Sequence, residues 1–428
     1  MVILILKAYL VLLTAVLIAY FIRHCLFTLN RMLGEQRLSY QDIVDSDLPS
    51  MTVIVPMHNE EKVASNILDL LAMADYPREK LEIIPVNNHS TDSTGEIIER
   101  YRERYAFIKP LLRGPNFSFS GRRGKPAALN DAMMLANGEI VAVFDADYLP
   151  TPGILRDIAV SFKDFEVGAV MGRVIPVNAG KNLLTRLLDL ERSGGYQVDQ
   201  QARYNLRLIP QYGGTVGGFR KDLVLSLGGF DPDALAEDTE LTFRLVVNGW
   251  KVVYANRAEC YEEAPETWEA RARQMERWAR GHTRVMLRYF FPLLKSPRVT
   301  MREKVDGAML LAVYAVSPLL LLGTADSVAL FFLGRLPAVS IVLVFMAAGF
   351  NTFGNFAPFY EIGAASLLDG STFRVRLLPL LLFSFLFNMC YTAKGLFDAL
   401  VDAATKRKTH WNKTERFGVA DTNGGAGR

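Results

Sequence analysis

Four short stretches of the chain carry side chains able to do chemistry. FDADYLP places Asp145 and Asp147 two residues apart behind the apolar run VAVF. On a continuing strand, residues i and i+2 share a face, so both carboxylates would point the same way. Hard divalent cations such as Mg2+ and Mn2+ take oxygen ligands of this kind, with substrate phosphates completing the sphere. Acids at a strand end also serve simply to cap a turn. LAEDTEL sets Glu237-Asp238 at a helix start. There Asp238 is either a first-turn acid favoured by the helix dipole or a general base that accepts a proton from an attacking hydroxyl. QMERW offers Gln274, Arg277 and Trp278. A guanidinium fork matches diphosphate oxygens and an indole face suits the C–H surface of a sugar ring; the same two residues also anchor helices at membrane interfaces. Finally, VNNHSTDST contains Asn87, Asn88 and Asp92 between an apolar run and a helical pattern. Open α/β sheets hold nucleotides at such places.

These residues need a scaffold, and the apolar spacing supplies one. MTVIVPM (51–57) and LEIIPV (81–86) are short β-branched runs that read as parallel-sheet strands, and EIVAVFDAD (139–147) as a third ending in acids. Between them fall three helical patterns: NEEKVASNILDLLAMADY, with Asn59 as its expected cap, GEIIERYRERY, and GKPAALNDAMMLA (124–136). This alternation predicts a parallel, right-handed α/β sheet. The glycines of YGGTVGGFRK (212–221) either form turns or let a chain pass close to backbone.

The flanks have a different texture. Residues 2–22 form an apolar run whose single charge is Lys7, long enough to cross a bilayer and lacking a signal-peptide cleavage pattern, so a retained anchor is expected. Arg23, Arg31 and Arg37 follow it and place the next segment in the cytoplasm. Residues 182–197 and the basic, aromatic stretch through QMERW are amphipathic, as membrane-surface helices and ordinary core-facing helices both are. Apolar stretches at 307–333, 338–360 and 377–401 precede a basic tail. Three crossings would leave that tail outside, so one stretch is expected to be re-entrant, interfacial or double-crossing. The expected layout is a transmembrane helix at 1–24, a catalytic domain at 40–265, interfacial helices at 266–304, transmembrane helices at 305–401 and a cytoplasmic tail at 402–428.

Across all 428 residues the formal net charge is +3, too mild to suggest a nucleic-acid partner. Cys25, Cys260 and Cys390 are scattered and show neither a disulfide framework nor metal spacing, which suits a reducing compartment. The five histidines form no cluster in sequence.

In order, the first loop, Gly124-Lys125 followed by Ala128-Leu129-Asn130, DxD, ED and QxxRW resemble membrane-embedded family 2 glycosyltransferases. That group includes the cellulose, hyaluronan, chitin-oligosaccharide and poly-N-acetylglucosamine synthases of bacteria. The resemblance covers roughly residues 50 to 285. It implies a Rossmann-like GT-A fold, a UDP-sugar donor, Mg2+ or Mn2+, and inversion at the anomeric carbon. Position by position, it puts Asn88 and Asp92 in the uridine loop, Lys125 in the donor-binding element, and Asp145 and Asp147 on the donor diphosphate and metal. Asp238 would be the base; Gln274, Arg277 and Trp278 would hold the donor diphosphate and the acceptor end. The implied acceptor is a growing polysaccharide, with a membrane lipid as the alternative. The implied setting is the inner (cell) membrane with a cytoplasmic catalytic domain, any secretion or regulatory step coming from another subunit. One departure stands out: family members usually carry Asp where this chain has Asn87 or Asn88. An amide oxygen also accepts from uracil N–H, without the strengthening a charge gives, so base specificity stays open.

Overall fold

The structure, a computed structural model, describes residues 1–37, 43–114, 124–337 and 357–405. They divide into two compact units: an α/β unit from Leu38–Lys181 and Pro210–Ala264, and a helical unit from Met1–Arg37, Asn182–Ile209 and Pro265–Thr409.

The α/β unit is built on an eight-stranded sheet. Its strands are β1 (Met51–Met57), β2 (Leu81–Asn88), β3 (Leu111–Arg113), β4 (Ile140–Val143), β5 (Leu149–Pro150), β6 (Val167–Pro176), β7 (Gly217–Arg220) and β8 (Lys251–Glu262). The order is β3-β2-β1-β4-β7-β6-β8-β5. Met51, Val53, Ile54 and Val55 are wholly buried, as expected of a strand covered on both faces. Each such side chain contributes about 1.5–3 kcal/mol to folding.

Register decides what meets at the carboxyl ends. β1 and β2 run parallel from Met51↔Leu81 to Met57↔Asn87, so the loops after His58 and Asn88 emerge side by side. β4 lies parallel to β1 on its other edge. β7 is antiparallel to β4, pairing Val143 with Gly217. The residues just before Gly217 therefore arrive where β4 releases Asp145.

The sheet is thus mixed, not all-parallel as the strand–helix alternation predicted. β7 escaped that reading because GGFR has no β-branched run. It is glycine-rich for a steric reason: a Cβ at Gly217 would collide with the Val170 carbonyl of β6. Asn59 does not cap the helix that follows it. That helix is Ala64–Ala72, and Asn59, at φ 55°, instead accepts a hydrogen bond from Thr91 N–H at 2.8 Å. Nor do Asp145 and Asp147 lie on a continuing strand. β4 ends at Val143, and Tyr148 N–H closes a turn on the Asp145 carbonyl at 3.1 Å.

The helical unit holds one helix from Val2 to Leu33, running past the expected boundary at residue 24. It also contains Leu183–Ser193, started by a reciprocal Asn182/Thr185 capping box. The basic aromatic stretch forms a single helix, Trp268–Lys295, capped by Thr267. Among the described residues three helical stretches are long and apolar enough to cross a membrane: Val2–Leu33, Met301–Phe332 and Thr372–Thr405. Leu13, Leu17 and Tyr20 bury against Leu187, Met275, Val316 and Phe385 within this unit. Most of 338–360, and the tail from 406, lie outside the described residues.

Candidate active site

Lys125 begins the helix Lys125–Met133, with Gly124 before it at φ 101°. Its ammonium lies 2.8 Å from Asp145 Oδ1 and 3.5 Å from Glu237 Oε1, and donates to the Gly214 carbonyl at 3.0 Å. Glu237 and Asp238 occupy the first turn of the helix Glu237–Val247. Asp238 Oδ1 accepts from Thr239 N–H at 2.6 Å. The Gly213–Val216 segment threads between these groups: Gly214 packs on Asp238, and Thr215 Oγ1 accepts from Asp145 N–H at 3.0 Å. Val216 holds φ 51°. A β-branched residue in that region costs on the order of 1–3 kcal/mol, the kind of strain that clusters at functional sites.

Two carboxylates, Asp145 and Glu237, therefore pair with one ammonium, and Asp238 lies within reach of its charge. Burial lowers the Lys125 pKa, but the charges of Asp145 and Glu237 outweigh it and hold the group above the ordinary lysine value. Burial pushes Asp238 above the usual carboxylate range, against the pull of the Thr239 N–H and Lys125. Glu237 is raised for the same first reason. A carboxylate with a raised pKa beside a fixed cation is a competent proton acceptor near neutral pH.

Asp147, on the same turn as Asp145, is buried, 6% exposed. Both offer only hard oxygen donors, and Asp145 already holds one cation in the Lys125 ammonium, so the turn suits a divalent ion of the Mg2+ or Mn2+ type.

At the adjacent strand ends, Asn87 Oδ1 accepts from Ser90 N–H at 3.1 Å, and Asn88 Oδ1 accepts from Arg113 Nη1 at 2.5 Å. Arg113 is itself paired with buried Asp131 at 2.8 Å. Arg113 and Asp131 escaped sequence reasoning because neither sits in a recognisable motif. Asp92 accepts from Thr94 N–H, Thr94 Oγ1 and Glu61 N–H, which ties the loops after β1 and β2 together. Burial alone would raise its pKa; these bonds hold it below the usual range.

Gln274, Arg277 and Trp278 belong to the helical unit. Gln274 Oε1 accepts from Arg271 Nη1 at 2.7 Å. Arg271 is buried in an ion pair with Glu191 at 2.6 Å, and Glu191 also accepts from Ser384 at 2.8 Å. The Trp278 ring receives the Arg192 and Arg271 guanidinium groups at 5.2 and 5.7 Å. So a buried polar network braces the motif.

The same unit contains a group that the histidine count did not suggest. His24, Asp199 and Glu361 bring ligand-type atoms within 4.8 Å of one another. Here the balancing cation is a side chain. Arg23 Nη1 lies 3.1 Å from His24 Nε2 and 3.5 Å from Asp199, while its Nε pairs with Asp306 at 2.7 Å. Arg23, read from the sequence as one of the basic residues flanking the first apolar run, is 8% exposed, with partners that come from residues far apart in sequence.

The family model described as "Glycosyltransferase like family 2" matches residues 49–281, which holds every α/β-unit group above as well as QMERW. The chain belongs to this family. The glycosyltransferase is 36% identical over 253 residues to the probable glycosyltransferase YdaM of Bacillus subtilis, a match covering 59% of this chain and 60% of that one. It is 31% identical over 279 residues to a beta-monoglucosyldiacylglycerol synthase of Nostoc sp., covering 65% and 58%. The chain thus spans about three-fifths of the length of these curated relatives. The solved mannosyltransferase PcManGT from Pyrobaculum calidifontis, in complex with GDP-Man and Mn2+, superposes with a TM-score of 0.62 at 23% identity, covering 93% of this chain and 99% of that one. The fold is GT-A, with a mixed, Rossmann-like sheet.

Proposed function

We propose that the glycosyltransferase moves a sugar, with inversion, from a nucleoside-diphosphate sugar to an acceptor presented at a membrane, with Asp238 as the general base. The observation that supports this most is the pairing of Lys125 with Asp145 and Glu237, next to Asp238 in the first turn of the same helix as Glu237. Asp145 and Asp147 would hold a divalent cation, which when bound would neutralise the charge developing on the departing diphosphate. Lys125 keeps Asp145 oriented and lends positive charge to the same region. Asp238, raised by burial, accepts the proton of the attacking hydroxyl. Asn88 and Asp92 line the nucleoside end, and Gln274, Arg277 and Trp278 serve the diphosphate and acceptor. The favoured donor is a UDP-sugar; the GDP-Man held by PcManGT keeps GDP-sugars in the test.

Two acceptor classes follow. A membrane lipid is favoured by the glycolipid synthase among the relatives. A growing polysaccharide end is favoured by the QxxRW pattern of QMERW, which the resemblance ties to processive synthases, though not to them alone. In either case the apolar helices embed the enzyme in a cell membrane and the α/β unit faces the cytoplasm. The test is purified enzyme in nanodiscs containing diacylglycerol, given radiolabelled UDP-glucose, UDP-N-acetylglucosamine or GDP-mannose with Mg2+ or Mn2+. Label in the lipid extract supports the lipid reading; label only in polymer that resists extraction supports the other. Asp238→Asn should cut transfer roughly 10²–10⁴-fold with donor binding retained. Substantial turnover by that variant would remove Asp238 as base.

A further inference from the structure

Tyr212 is the least accounted-for polar residue of the site. Its side chain is 0% exposed, and its hydroxyl has no hydrogen-bond partner among the described residues. Burying an unpaired hydroxyl costs about 1–3 kcal/mol, so a folded chain carries one only where something compensates. The ring is also fixed in place. Tyr212 N–H donates to Thr242 Oγ1 at 3.0 Å, and that hydroxyl donates to the Asp238 carbonyl at 2.9 Å. Next door, Gln211 Nε2 donates to Thr239 Oγ1 at 2.8 Å. The Tyr212 segment is thus laid along the first turn of the helix that carries Asp238. The ring meets Phe219 edge-on, with centroids 6.3 Å apart, and a Cβ at Gly217 would stand 3.0 Å from Tyr212 Cε2.

We propose that the Tyr212 hydroxyl is a substrate-contacting group of the transfer site, donating a hydrogen bond to a sugar hydroxyl held beside Asp238. This deepens the functional reading above and rests on it. The chemistry of the surroundings selects the partner. Burial, then the charges of Asp238, Glu237 and Asp145, hold the phenol well above its ordinary pKa, so it keeps its proton and donates. Those same carboxylates repel a phosphate oxygen. A neutral sugar hydroxyl meets no such penalty and has lone pairs to accept with.

Tyr212→Phe removes the hydroxyl and keeps the ring. It is to be measured in nanodiscs with UDP-glucose and GDP-mannose, beside wild type and Asp238→Asn. The expected result is a kcat for transfer lowered roughly ten- to hundredfold, with the donor KM nearly unchanged and the melting temperature of the donor-free enzyme unchanged or raised. That last readout separates the roles: an unpaired buried hydroxyl contributes nothing to the free protein, so its loss cannot destabilise it. An unchanged kcat overturns the assignment, and so does a kcat that falls together with the melting temperature. If Asp238→Asn retains transfer, the site reading fails and takes this one with it. If Asp238→Asn is inactive and Tyr212→Phe is fully active, only the tyrosine assignment falls.

Discussion

Gly214 lies so close to Asp238 that a methyl group on it would stand 3.1 Å from the Asp238 Cβ. The same glycine has φ 72° and offers its carbonyl to Lys125. One residue without a side chain therefore sets the spacing between the lysine and the carboxylate it faces. Gly214→Ala should cost about 1–2 kcal/mol from the left-handed backbone alone and should displace Asp238. Thermal unfolding should show a drop of a few degrees, and kcat should fall more steeply than donor affinity. An alanine variant with wild-type kcat would show that this spacing is not critical.

Removal of the lysine charge should be visible in the pH profile. As the proposed base, Asp238 would work only when deprotonated, and burial has raised its pKa. The rate is therefore lost as pH falls through a value above the usual carboxylate range of about 4. The Lys125 charge pulls that value down, so Lys125→Met should move the acid limb of kcat/KM to higher pH. It should also weaken donor binding. A limb that stays put, or moves to lower pH, would mean that the titrating group is not Asp238.

Asn88→Asp tests the proposed nucleoside end. The new carboxylate would face the Arg113 guanidinium that now reaches Asn88 Oδ1, making the bond charge-assisted. It would also leave a second oxygen for a base N–H. Calorimetry should find UDP bound several-fold more tightly and GDP little changed. The opposite preference would assign the loop a guanine.

How much of this could be read from the chain follows residue separation. Asp145, Asp147, Glu237 and Asp238 stand in short motifs whose chemistry is local, so the sequence singled them out as candidates. The helix of GKPAALND and the strands MTVIVPM and LEIIPV showed in their apolar spacing. β7 did not, since Gly217 is dictated by the approach of β6 and leaves no pattern of its own. Tyr212 reads as one more aromatic until its hydroxyl is seen to be buried without a partner. Arg23, His24, Asp199, Asp306 and Glu361 carry no shared spacing at all, because three-dimensional packing alone assembles them.

The brace on QMERW gives a stability prediction. Arg271→Met leaves Glu191 as a buried, uncompensated charge, a loss of about 3–5 kcal/mol. The double variant Arg271→Met/Glu191→Gln should recover much of that loss, with both read as melting temperature in nanodiscs. Gln274 would stay without its Arg271 donor, so transfer should recover less than stability does. Full recovery of both would make the Arg271–Gln274 bond dispensable.

The helix Val2–Leu33 carries Arg23 and His24, whose partners Asp199, Asp306 and Glu361 all lie elsewhere in the helical unit. That makes this first helix a poor candidate for replacement in protein engineering. A generic membrane leader grafted in its place would match its greasiness and still take from Asp306 and Glu361 the partners they bury against, while Asp199 keeps Arg203. For anyone producing the enzyme, the native helix has to stay.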